Sequence, residues 1–336
     1  MELTLSEEQS ELAATVRSLL EKRSDSRAVR AAIEAEHGFD ADLWSMLCEQ
    51  IGVAALGVPE EHDGVGAGLV EYAVVLEELG RALTPGPLLS TVVAVEVMLA
   101  AADDEARARL LPRLAAGEVI AFVEPVDGVA TGVLDAEAAS VLLVVDGDDL
   151  LEVDPATAEI TWSPSMDQTL RLATVRVDTA AEGVTRIGDG VAAAARARLV
   201  GALGSACLAV GCADRALAMT VGYSKERVQF GRPIGSFQAL KHRMADMLVR
   251  VEMARSAAWA SAAGLAIGTP DAEVLVHCAA SYAAEAVADV TAETVQMHGG
   301  IAITWEHDAH LLFKRAHALG QLFGSALEHR RAVPLP

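Results

Sequence analysis

Arginine, glutamine, phenylalanine and glycine crowd into one short stretch of this sequence, Arg227-Val228-Gln229-Phe230-Gly231-Arg232-Pro233-Ile234-Gly235-Ser236-Phe237-Gln238. Together they are groups suited to holding a nucleotide. A guanidinium forks onto phosphate, glycine lets backbone N–H groups come close, and a ring covers an adenine. No general phosphate-loop pattern is matched, so an ordinary helix–helix loop with a solvated basic patch stays open beside that reading. A second polar cluster is Trp305-Glu306-His307-Asp308-Ala309-His310. On a helix Glu306 and His310 stand i, i+4, near enough for an acid–base pair or a metal. The same residues also suit a helix start, with Glu306 and Asp308 complementing the dipole and Thr304 capping. Glu60, Glu61, Glu77 and Glu78 read as charges on turns and solvated helix faces, and His242 and His277 as single helix histidines.

The arginine stretch must be a turn between two helices. Alanine-rich amphipathic sequence runs from about Val191 to Ser224, and periodicity resumes at Phe237 behind Ser236, a suitable N-cap, as far as Ile267. Gly268 ends that helix, and Thr269-Pro270 reads as a cap and first-turn proline for a helix to Met297. A last helix spans Glu306 to His329, broken near Gly320 or Gly324. Long helices joined by short turns predict a four-helix bundle over 189–336.

Residues 1–117 read as a helical domain. Ser6-Glu7-Glu8-Gln9 is a capping box, opening a helix with a stripe of Leu12, Val16, Leu19 and Leu20. Helices over Asp42 to Gln50, Leu69 to Leu83 and two more between Leu88 and Gly117 follow, with a glycine-rich turn from Gly52 to Gly68. Residues 118–188 change texture. The runs 119–123, 141–145, 150–153 and 172–177 read as short strands, with a hairpin turn at Asp146-Gly147-Asp148-Asp149. The fold class expected is therefore mainly α with a small central β-domain.

Composition narrows the partners. At 336 residues the chain exceeds a single core, and 52% hydrophobic residues with 4% aromatics favour close-packed helices. A net charge of −22 argues against nucleic acid or an anionic membrane, leaving a nucleotide only at local basic spots. Cys48, Cys207, Cys212 and Cys278 lack metal or redox spacing, and Cys207 and Cys212 suit buried thiols in a helix. The start, Met1-Glu2-Leu3-Thr4-Leu5, has no basic region or long apolar run, and no segment reads as an uninterrupted membrane span. A soluble cytoplasmic protein is expected.

The arginine stretch resembles the FAD-binding signature of the acyl-CoA dehydrogenase family, R-x-x-F-G-x-x-I-x-x-x-Q. Gln296-Met297-His298-Gly299-Gly300-Ile301 is similar to the family's Q-x-x-G-G element, and the words around Val58-Pro59-Glu60-Glu61 and Leu76-Glu77-Glu78-Leu79-Gly80 resemble its N-terminal third. The resemblance implies α,β-dehydrogenation of an acyl-CoA thioester, in which a carboxylate takes the α-proton and the β-hydrogen leaves as hydride to the flavin. It implies that Arg227, Gln229, Phe230, Gln238, Gln296, Gly299 and Gly300 hold the ADP half of FAD. Two family features are missing. The flavin-cradle turn T-E-P-x-x-G-S-D becomes Val123-Glu124-Pro125-Val126-Asp127-Gly128-Val129, where valine cannot donate a hydrogen bond. The later W-x-T strand has no counterpart, Thr161 and Trp162 standing at the wrong place. The two positions at which relatives carry the base fall on Phe323 and Gly201, with Glu328 lying beyond.

In homodimeric relatives the arginine loop reaches the neighbouring subunit's FAD. A chain with the loop but no cradle therefore resembles the degenerate subunit of the actinobacterial heterotetrameric acyl-CoA dehydrogenases, an α2β2 class known for oxidising steroid side-chain and related CoA esters. The implied partner is a related catalytic subunit that supplies base and cradle and shares the FAD. A self-sufficient dehydrogenase using Glu306 or Asp308, and a flavin-free scaffold dimerising through the bundle, stay open as alternatives.

Overall fold

Ser6 opens the first helix as its sequence predicts. Its hydroxyl accepts from the Gln9 N–H, the Gln9 amide oxygen accepts from the Ser6 N–H, and α1 (Glu7–Arg23) follows with Val16 and Leu20 buried. The computed structural model describes residues 4–334, so the start Met1-Glu2-Leu3 lies outside the described residues. Then come α2 (Ser26–Ile33), which the sequence reading passes over, and α3 (Ala41–Met46). A π-type turn, Leu47–Ile51, extends α3 to Gly52, whose left-handed φ of 78° stops it. Next are α4 (Leu69–Ala82), α5 (Leu88–Ala101) and α6 (Asp104–Ala115). Leu88 to Met98 are buried without interruption, so α5 has no polar face to show.

Strands β1 (Ile120–Val123), β2 (Val129–Leu134), β3 (Val141–Asp146), β4 (Asp149–Val153), β5 (Glu159–Trp162), β6 (Leu172–Arg176) and β7 (Thr185–Asp189) form two sheets. One has the order β1-β3-β4-β7, with β1 and β3 parallel; the other is antiparallel, β2-β6-β5. Val123, Leu142, Val144 and Val175 belong to a second, smaller core there. The sequence pattern misses β2, β5 and β7 because they bury few apolar side chains in alternation.

The C-terminal part contains α7 (Gly190–Glu226), α8 (Gln238–Ile267), α9 (Ala272–His298), α10 (Ala309–Leu322) and α11 (Ala326–Ala332). Helices α7 to α10 pack as the expected bundle, and α7 also packs against α4 and α5. Glycine permits that approach: a Cβ on Gly211 would lie 1.9 Å from the Glu77 carbonyl oxygen, and one on Gly80 2.2 Å from that of Leu208. By length and composition alone α7 could cross a membrane, but 67% of its most apolar window is buried inside the fold. It is a core helix.

Three helix starts differ from expectation. Ser236 is not a cap; its hydroxyl donates to the Pro233 carbonyl in a short 3₁₀ turn, and Phe237 takes the N-cap position. After Gly268, left-handed as predicted, Asp271 rather than Thr269 precedes the helix. Residues 304–308 lie before α10 rather than within it, and the break in the last helix falls at Gly324, with φ of 115°.

Candidate functional site

Between α7 and α8 the chain forms a tight hairpin, β8 (Val228–Gln229) against β9 (Arg232–Pro233), turned at Phe230 and Gly231 with φ of 51° and 76°. Two successive positive φ values suit a hairpin turn, but glycine or asparagine normally supplies them. Here a phenylalanine does, and its ring is 92% exposed. The Phe237 ring meets it edge-on at 6.1 Å, and the Arg232 guanidinium lies 4.0 Å over the Phe237 ring. Arg227 ends α7: its N–H donates to the Tyr223 carbonyl, while its carbonyl accepts from Ile234 and its side chain stays exposed. Gln229 and Gln238 are exposed too.

The second element lies at the same end of the bundle. The Thr220 hydroxyl on α7 donates to that of Thr294 on α9 at 3.0 Å, and the His298 ring stacks on Tyr223 at 4.4 Å. Tyr223 stands one turn before Arg227, and His298 immediately precedes Gly299. The sequence reading passes over this pair, although a buried histidine inside the Q-x-x-G-G element was visible. His298 Nδ1 donates to the Thr294 carbonyl, and burial holds its pKa below the ordinary imidazole value. Gly299 has φ of 68°, and the space where either it or Gly300 would carry a Cβ is open. Gln296, Gly299 and Gly300 are exposed. The seven expected ADP-binding residues thus lie at one end of the bundle, on its surface.

Gly201 and Phe323, the two positions expected from the resemblance to align with the family's base, meet each other. A Cβ on Gly201 would lie 2.3 Å from the Phe323 ring, so glycine is what lets that ring sit against α7. The ring borders a cleft of about 400 Å³ whose walls come from α5, β1, β2, α7 and the α10–α11 turn. Glu328, which the sequence places beyond the site, lines this cleft as well. Its carboxylate accepts from both the N–H and the hydroxyl of Ser325 at 2.7 Å, capping α11, and these bonds hold its pKa below the ordinary carboxylate range. Such a group is a weakened proton acceptor. At the cradle turn Val123 is fully buried in β1, and Glu124 forms an ion pair with Arg198 on α7.

Among the other acids singled out in the sequence, Asp308, Glu77 and Glu78 hold structural contacts. Asp308 accepts from Ser26 at 2.6 Å and Arg30 at 2.8 Å, tying α2 to the start of α10. Glu306 is exposed and not on a helix with His310, and the Thr304 hydroxyl donates to the Ile301 carbonyl instead of capping. Glu77 and Glu78 are not solvated: Glu77 accepts from Arg255 and Trp259, and Glu78 takes both prongs of Arg17. Burial pushes the Cys212 thiol up to about 12, as its helix position predicts. Behind the cleft, Ser90 donates to Asp135 at 2.6 Å, while the buried Arg315 holds Asp167 and Thr169. Burial raises the Asp135 carboxyl to about 7.

Residues 6–118 match the family profile described as acyl-CoA dehydrogenase, N-terminal domain, and residues 188–333 match its C-terminal domain. The chain belongs to the acyl-CoA dehydrogenase family. It is 45% identical over 329 residues to acyl-CoA dehydrogenase IpdE2 of Mycolicibacterium smegmatis, covering 98% of each chain. To IpdE2 of Mycobacterium tuberculosis it is 43% identical over 332 residues, again with 98% of each covered. Among solved structures, a variant of the Tcur3481-Tcur3483 steroid ACAD aligns with a TM-score of 0.88 at 26% identity, over 98% of this chain and 97% of that one. The ChsE4-ChsE5 complex from Mycobacterium tuberculosis aligns with a TM-score of 0.89 at 24% identity, covering 99% and 98%, a likeness of fold.

Proposed function

We propose that this chain is the base-less subunit of a heteromeric α2β2 acyl-CoA dehydrogenase, with 1–117, 118–188 and 189–336 as its three domains. The observation that carries the reading is the Phe323 ring seated against Gly201, which leaves neither base position able to take a proton. The related partner supplies the carboxylate that removes the α-proton of a CoA thioester, and bound FAD supplies the acceptor for the β-hydride. The steroid substrate in a neighbour's name makes a steroid side-chain thioester the first acyl group to try.

The residues present fit one half of the cofactor. Open space beside Gly299 and Gly300 suits the approach of a dinucleotide to backbone N–H groups, and the exposed Phe230 ring offers it an apolar cover. Arg227 would neutralise pyrophosphate, with Gln229, Gln238 and Gln296 as amide partners. The flavin ring is less well served, since Val123 faces the core and Glu124 is held by Arg198. An exposed set of binding groups needs a second surface to close it. On α8 the side chains of Leu248, Val249 and Met253 are 49%, 56% and 54% exposed, which suits burial against a related chain.

Co-expression with a related chain carrying an intact T-E-P-x-x-G-S turn tests this. The complex is expected to carry one FAD per pair, and Arg227→Ala to lower its flavin content without dissociating the subunits. Flavin content indifferent to Arg227→Ala would favour a scaffold. Stoichiometric FAD and acyl-CoA oxidation by the chain alone would overturn the reading in favour of a self-sufficient enzyme.

A further inference from the structure

Where the N-terminal helices meet the bundle, α1, α2, α4, α7 and α10 enclose a separate cavity of about 320 Å³. It shares no lining residue with the cleft beside Phe323 or with the arginine hairpin. Its floor is apolar: Leu20, Val29, Leu83 and Leu312 are each at most 5% exposed, and Met219 is half-buried. Most of the charges on its walls are engaged. Glu78 takes the Nε and Nη2 of Arg17, Asp308 accepts from Ser26 and Arg30, Asp25 accepts from the Ala28 N–H, and Arg81 pairs with Asp214. Arg215 on α7 lines the cavity, is exposed, and forms no ion pair among the described residues. The surroundings favour an anion further. Residues 17–30 carry five cations against two acids, in a chain with 26 cations against 48 acids.

We infer that this cavity is a non-catalytic binding site for a small monocarboxylate with an apolar body, such as an alicyclic acid. The floor takes the body, and the uncommitted guanidinium of Arg215 donates to the carboxylate, with Nη1 of Arg17 as a second donor. Glu21 also lines the cavity and has no partner among the described residues, so a second negative charge on the ligand would face an acid. A CoA thioester has lost the carboxylate and adds phosphates, and the site does not hold it. The inference goes beyond the function proposed above and does not depend on it, because neither the arginine hairpin nor a flavin is involved.

Calorimetry on the 336-residue chain tests it, with cyclohexylacetate, cyclohexylacetamide and 2-cyclohexylethylamine as probes of one shape and three charges. The acid is expected to bind one per chain, the amide about tenfold more weakly, and the amine not to compete. Arg215→Gln, an exposed substitution, is expected to bring the acid down to the amide's affinity and leave the amide unchanged, a ratio that a general loss of stability does not produce. Glu21→Gln is expected to tighten the acid about threefold, and added salt to weaken the acid and not the amide. Met219→Trp, which fills the floor, is expected to weaken both. Absence of saturable binding, an amine that competes with the acid, or an acid affinity indifferent to Arg215→Gln would overturn the inference. Flavin content is not read, so its failure leaves the proposal for Arg227 standing.

Discussion

Asp135→Asn is expected to make the protein more stable at neutral pH and to flatten its pH dependence. Asp135 is fully buried, and its carboxylate accepts a hydrogen bond from Ser90. Burial raises the carboxyl from 3.8 to about 7, against the opposing pulls of that hydrogen bond and of the Arg315 charge. A raised acid reverses the usual carboxylate behaviour. Between these values the folded chain holds a proton that the unfolded chain has released, so this group's stabilising share is full below 3.8 and lost as pH rises through about 7. The gap of roughly 3 units corresponds to about 4 kcal/mol above pH 7, falling to about 1 kcal/mol near pH 4.5. Asparagine keeps an acceptor for Ser90 and does not titrate. Its new N–H group and the lost attraction to Arg315 make 4 kcal/mol an upper bound. Urea unfolding of both proteins at about pH 4.5, 6, 7 and 8 reads the difference directly. A difference that does not change with pH, or one that grows on acidification, would refute the reasoning from burial.

Gly201→Ala is expected to destabilise by about 1–3 kcal/mol through collision with the Phe323 ring, and Phe323→Ala to relieve it, so that a double-mutant cycle by chemical denaturation shows coupling. Glu77→Gln leaves Arg255 with less compensation in a buried network and is expected to cost about 2–3 kcal/mol, measured the same way. His329 shares a 3.0 Å hydrogen bond with His277, and burial first, then His277, holds its pKa below the ordinary imidazole value. The docking of α11 onto α9 is therefore strongest above about pH 6.5 and weakens on acidification, which faster amide exchange in α11 at about pH 5 would show and an unchanged rate would refute.

Much of the fold was legible in local pattern. The Ser6 capping box, the helix stop at Gly268 and the long alanine-rich helices follow from propensity and period over a few residues, and the turn at the arginine stretch follows from the break in that period, though not its hairpin form. The strands β2, β5 and β7 were not, because a half-exposed strand in a small sheet carries too few buried positions to show its period. Helix starts near Ser236 and Thr304 were misread for a related reason: a serine or threonine that can cap can equally bond a neighbouring carbonyl, and the surrounding turn chooses.

By itself the sequence determined that neither Gly201 nor Phe323 offers a side chain able to accept a proton, wherever the two are placed. It also determined that a guanidinium, amides and a ring share one loop. Only the tertiary structure decided that Gly201 and Phe323 are the same place, that Glu328 borders it from a cap, and that Glu77 and Glu78 are buried rather than solvated. These depend on contacts between residues far apart in the chain. Side-chain chemistry can be read from a residue's name, whereas distance and desolvation exist only once helices have packed.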